Sequence, residues 1–146
     1  MIASSTTAEV KGLENATFRS PGPYAETVVA FRGAVIEAGL RIPMEMDVAG
    51  EIRKELGIGL RSCCVLCVVC PYLLLQAAVW DGSGASFLPV RVVFAERETT
   101  TTIQFAGPLD WNLPTGLRLP FARFLSQLLS ILEHIGARRM EFPTAS

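Results

Sequence analysis

Four cysteines, Cys63, Cys64, Cys67 and Cys70, fall within thirteen residues, LRSCCVLCVVCPY, from Leu60 to Tyr72. Cys64 and Cys67 have C-x-x-C spacing, as do Cys67 and Cys70, and that spacing elsewhere holds zinc or an iron–sulfur cluster. Such sites gather thiolates on a turn, where glycine and polar residues let them converge. Here the intervening residues are Val65, Leu66, Val68 and Val69, with no glycine. That composition reads as a buried strand. Side chains alternate along a strand, so Cys63 and Cys67 point one way and Cys64 and Cys70 the other. Cys64 and Cys70 then lie about 20 Å apart, at roughly 3.3 Å per residue. No metal ion is expected, and the thiols read as small apolar core groups. Cys70 is the exception, because it ends the strand beside Pro71, where a thiol meets solvent and a ligand.

Beyond the thiols, Glu45 and Asp47 lie two residues apart on one strand face and could share a site as paired carboxylates do. The plainer reading makes Asp47 a helix cap and leaves Glu45 solvated. His134 is the only histidine and sits beside Glu133 on a helix, as a surface residue would. Gly82-Ser83-Gly84 lacks the strand, helix and lysine of a phosphate loop, and no G-x-S-x-G serine elbow occurs. No catalytic residue and no cofactor are expected.

The elements that must position these groups follow from punctuation and periodicity. Ala16 to Ser20 reads as a first strand, and Pro21-Gly22-Pro23 as a turn into a helix from Tyr24 to Ala38, stopped by Gly39. Val28, Phe31, Val35 and Ala38 give that helix its apolar face. Leu40 to Asp47 alternates as a half-buried strand, with Pro43 marking an edge or a bulge. Asp47 precedes a short helix, Val48 to Leu56, ended by Gly57 and Gly59. The cysteine strand comes next, then a helical turn from Pro71 to Trp80 and a loop at Asp81-Gly82-Ser83-Gly84. Phe87 to Glu96 and Thr99 to Ala106 read as paired strands. Gly107 to Pro120 reads as irregular, and a helix from about Leu119 to Ile135 follows. After Gly136 the tail is expected to fray. Short connections between the later strands argue for an antiparallel sheet with helices on one face, an α+β fold.

Composition bounds the rest. At 146 residues, one domain is expected at 15–140, after a loose lead-in at 1–14 and before a frayed tail at 141–146. A net charge of −1 leaves no footprint for nucleic acid or an anionic membrane. The 19 residues from Ser62 to Trp80 carry no charge and have the length of a membrane span. Pro71 would break that helix midway, so no membrane role is expected. MIASSTTAEVKGLE lacks the basic and apolar parts of a signal peptide, and the cysteines form no secreted disulfide framework. A reducing, cytoplasmic setting is therefore expected. Phe121, Phe124, Leu125, Leu128, Leu129, Leu132 and Ile135 cover more of the last helix than one sheet contact needs. That surplus predicts a homodimer through the C-terminal helix.

Several segments together resemble the DUF302 family of small bacterial and archaeal proteins. They are Glu37-Ala38-Gly39-Leu40, Met44-Glu45-Met46-Asp47-Val48, Leu56-Gly57, Cys70-Pro71 and Phe87-Leu88-Pro89 before Val90-Arg91-Val92-Val93-Phe94. The resemblance implies a TBP-like fold with a four-stranded antiparallel sheet, often self-associated, and brings no established reaction. Members carry Cys-Asn-Pro at the strand end and Pro-Cys before the next strand. Matched on the prolines, those cysteines fall here on Val69 and Val90, and the asparagine on Cys70. The ligand-binding set is taken as Cys70, Pro71, Glu45, Asp47 and Pro89. The function expected is a non-enzymatic, homo-oligomeric binding or assembly module with an apolar small-ligand pocket between sheet and helices. The alternative is a thiol-dependent enzyme or redox sensor using Cys70.

Overall fold

The turn that launches the first helix is fixed by hydroxyls. In the computed structural model, which describes residues 12–13, 16–80, 89–106 and 115–140, Thr27 Oγ1 donates to the Pro23 carbonyl at 2.8 Å and lies 3.3 Å from Ser20 Oγ. Thr101 Oγ1 donates to the Gly22 carbonyl at 3.0 Å. These bonds join strand β1 (Thr17–Ser20) to helix α1 (Tyr24–Glu37) and tie both to strand β5 (Thr101–Ala106). Helix α1 buries Thr27, Val28, Phe31 and Val35, the expected face but for Ala38, which caps the helix and is exposed. Strand β2 (Arg41–Asp47) leads directly into helix α2 (Val48–Leu56). Strand β3 (Cys63–Val69), helix α3 (Pro71–Trp80), strand β4 (Val90–Glu96), β5, helix α4 (Thr115–His134) and strand β6 (Arg138–Arg139) complete the order.

The fold is α+β with an antiparallel sheet, and the sheet has six strands rather than the four expected. Their order is β2-β3-β4-β5-β1-β6, and each neighbouring pair is antiparallel. The extra strands have a local cause. Phe18 pairs with Ile103, which brings β1 in beside β5. Gly136, at φ +89°, turns the chain back after α4, a left-handed conformation that costs glycine little. Arg138 then pairs with Arg19, and the Met140 N–H donates to the Thr17 carbonyl at 2.7 Å. The segment expected to fray from Gly136 is thus a strand as far as Arg139. Leu13, from the expected lead-in, is fully buried in the core.

Strand β3 is interior, flanked by β2 and β4. Its alternation is as expected: Cys64, Leu66 and Val68 are buried beneath the helices, while Cys63, Val65 and Cys67 on the opposite face are half-buried. Leu66 pairs with Val92 and Cys64 with Phe94. The Phe94 ring meets Phe31 of α1 at 5.0 Å, edge to face. Burying Leu66, Val92, Phe94 and Ile103 completely contributes about 1.5–3 kcal/mol per side chain.

Two other boundaries differ from expectation. Strand β2 is almost wholly exposed rather than half-buried. It is an edge strand whose register shifts between Arg41 and Met44, around Pro43. Helix α4 begins at Thr115, so Pro120 lies inside it. The proline removes the bond that its N–H would give to the Gly116 carbonyl and crowds that carbonyl, while Leu117 and Phe121 on either side of it are buried. The segments 81–88, 107–114 and 141–146 lie outside the described residues, and with them the expected loop at Asp81-Gly82-Ser83-Gly84 and the start of the irregular stretch. No helix among the described residues is long and apolar enough to cross a membrane.

Candidate functional site

The register of β2 on β3 determines which groups meet. Asp47 stands opposite Cys64 and Glu45 opposite Leu66, so both carboxylates leave the sheet on the helix side. The shared face read from their spacing is therefore present. Above them runs α1, where Tyr24, Val28 and Arg32 recur every fourth residue and share one flank. Where these elements meet, a cleft of about 380 Å³ opens, lined by Tyr24, Val28, Val29, Arg32, Glu45, Asp47 and Cys64 among others.

Both carboxylates in the cleft have partners. Arg32 grips Glu45 with both Nε and Nη2, the Nε bond to Oε2 measuring 3.1 Å. The pair is 41% and 47% exposed, so its value is positional, since exposed ion pairs contribute only about 0–1 kcal/mol. The Gly50 N–H donates to Asp47 Oδ1 at 3.0 Å, making Asp47 the expected cap of α2. Glu45 is ion-paired rather than merely solvated.

Half-buried Tyr24 and buried Cys64 both line the cleft. Burial pushes the Tyr24 phenol far above its usual range, and its hydrogen bond with Cys64 adds to the shift. Burial also pushes the Cys64 thiol up, against the opposing pull of Tyr24 and Arg32. Both therefore keep their protons at neutral pH. A protonated thiol is a poor nucleophile, so this pair offers hydrogen bonds rather than thiolate chemistry.

The expected ligand-binding residues divide into two groups. Glu45 and Asp47 line the cleft. Cys70, Pro71 and Pro89 lie at the other end of β3, with Cys70 half-buried against the core and both prolines exposed. Cys64 and Cys70 are separated by six residues, about 20 Å of extended chain. Tyr24, Arg32 and Cys64 were absent from the expected set. Fourfold spacing placed the first two on one face of α1, but only the β2–β3 register brings that face over Cys64. Among the described residues no group of three His, Cys, Asp or Glu could hold a metal ion. His134 is exposed in the last turn of α4, where a cation suits the helix dipole.

The sequence matches a family described as a domain of unknown function, DUF302, over residues 16–114. The chain belongs to the DUF302 family. Among solved structures, an uncharacterised conserved DUF302 protein from Bacillus stearothermophilus is similar, with a TM-score of 0.70 at 17% identity. That likeness covers 82% of this chain and 95% of the other, and it shows the fold. No curated protein matches the sequence. Val69 and Val90, the positions that the resemblance matched to family cysteines, are buried, 6% and 1% exposed. The thiols of this DUF302 chain stand on β3 and at Cys70 just after it, and Cys64 is the one that lines the corner cleft.

Proposed function

We propose that this DUF302 chain is a non-enzymatic, self-associating binding module that takes a small amphipathic ligand in the corner cleft. The observation that carries the reading is one cleft lined by Tyr24, Cys64 and the Arg32–Glu45 ion pair together with apolar Val28 and Val29. A few placed polar groups against an apolar wall are the usual make-up of a small-ligand site. Glu45 and Asp47 outnumber the single guanidinium in the cleft, so its free acceptors favour a cationic donor such as an amine. The ligand's apolar body then lies along Val28 and Val29.

Benzylamine and benzoate, matched in shape and opposite in charge, make the test. Backbone NMR shifts of Tyr24, Val29 and Cys64 should saturate with benzylamine and stay still with benzoate. Tyr24→Phe should weaken benzylamine by roughly threefold to tenfold, the worth of one hydrogen bond of about 1 kcal/mol. Equal shifts with both compounds, or none, would remove the reading.

The second reading is thiol chemistry at Cys70. Its partial exposure, next to exposed Pro71 at the start of α3, is what favours it. Faster alkylation of Cys70 than of Cys63 or Cys67 in the folded protein would support that reading, and equal or slower alkylation would count against it.

A further inference from the structure

The end of the sheet farthest from the corner cleft concentrates positive charge on its helix-free face. Arg19 of β1 and Arg138 of β6 stand directly opposite one another in the antiparallel ladder, so their side chains leave the same face about 5 Å apart at Cβ. Like charges in that position destabilise a sheet. Among the described residues neither arginine has an ion pair or a side-chain hydrogen bond. Arg97 joins them from the β4–β5 turn, which its own N–H closes by donating to the Thr100 carbonyl at 2.8 Å.

Two adjoining cavities share Arg19, Thr100 and Met140. The larger, about 560 Å³, is also lined by Arg97, Glu98 and Thr102, and Arg138 lines the other. Four arginines thus line the two cavities against one carboxylate, Glu98, and of the four Arg139 already donates to the Gly12 carbonyl, in a chain whose net charge is only −1. This is a local concentration rather than a basic protein. Repulsion between Arg19 and Arg138 is a standing cost that an oxyanion between them would turn into attraction, through charge-assisted hydrogen bonds.

We propose that this face is a binding site for a small molecule bearing phosphate, held by Arg19, Arg97 and Arg138 with the hydroxyl of Thr100. The cavity has the size of a small-molecule site. Single-stranded nucleic acid fits less well, because it stacks its bases on aromatic rings. The positions that share this face, from Met46 and Val65 through Val93 and Gln104 to Thr17, and from Cys63 and Ala95 through Thr102 and Arg19 to Arg138, carry none. The inference does not depend on the corner cleft, which lies at the β2 end of the sheet.

Calorimetric titration of the full chain with pyrophosphate, in chloride at physiological ionic strength, tests it. Saturable binding is expected, weakened about tenfold or more by Arg19→Gln combined with Arg138→Gln. Arg53→Gln, which removes one positive charge from α2, should leave it unchanged. Without pyrophosphate, Arg19→Gln alone should melt higher than the parent chain, since it removes the like-charge pair. A merely structural Arg19 would lower the melting temperature instead, which would overturn the proposal. So would the absence of saturable heat at millimolar pyrophosphate, equal weakening by Arg53→Gln, or tighter binding of a single-stranded oligonucleotide through the same arginines.

Discussion

At the scale of single residues, the Tyr24–Cys64 pair makes the sharpest claims, because both groups hold their protons more tightly when folded. The sign follows directly. An acid whose folded pKa is raised adds stability fully below its unfolded value and loses it as pH rises toward the folded one. For the thiol that loss begins near its ordinary pKa of about 8.5. Thermal melts should therefore show a falling melting temperature above that pH, and Cys64→Ala should flatten the fall. A parent chain with no alkaline decline would mean that the thiol is not desolvated. Time-resolved alkylation read by mass spectrometry supplies an independent check. Cys64, buried and protonated, should label only on unfolding, whereas half-buried Cys63 and Cys67 label in the folded state. Equal labelling of all three would contradict the burial.

The elements show where sequence was a sufficient guide and where it was not. Helix α2 was legible down to its cap, since Asp47 before Val48 is a local signal and needs no partner from afar. A local requirement went unread beside it. A Cβ at Gly50 would meet the Asp47 carboxylate in its present rotamer, so a larger residue there requires that side chain to shift. Gly50→Ala should destabilise the chain by about 1 kcal/mol through loss of the cap, beyond its own gain in helix propensity. Asp47→Ala added to it should cost little more, because the same bond is already broken. Denaturant titrations of the two single variants and the double variant measure this, and full additivity would show the two positions to be independent. Strand β3 was legible from its valines and its alternation. Leu66→Asp or Val68→Asp should prevent folding, because an unpaired buried carboxylate costs several kcal/mol against a total of roughly 5–15. Soluble, cooperatively melting variants would contradict the burial of both sites. Strand β6 was not legible, as two arginines carry no apolar pattern and pair only because Gly136 turns the chain onto β1. The corner cleft was half legible for a related reason. Glu45 and Asp47 are neighbours in sequence, but Tyr24 and Cys64 meet only through a cross-strand register that no local window contains.

For the molecule as a whole, the question is where a second copy would attach. The surplus on the C-terminal helix pointed to α4, yet Phe121, Phe124, Leu125, Leu128 and Leu132 of that helix are buried within the chain. Leu129 and Ile135 are partly buried and packed against the core. Leu129→Glu should therefore lower stability rather than divide a dimer. Exposed apolar side chains lie on α3, at Tyr72, Leu75 and Val79, and at the β2 edge, where Met44 and Met46 are 63% and 56% exposed and Val29 and Ile36 of α1 are also exposed. An edge strand presents unsatisfied backbone donors and acceptors, and Pro43 blocks only one of them. Two copies pairing β2 with β2 about a two-fold axis would satisfy those groups and cover the methionines. Light scattering at tens of micromolar should then report a dimer for the parent chain. Met46→Lys should yield a folded monomer, since the residue is exposed in the single chain, and its melt should no longer depend on concentration. A dimer indifferent to Met46→Lys and split by Leu129→Glu would return the contact to α4. A parent chain that stays monomeric would remove self-association from the proposed function while leaving the corner cleft to its own test.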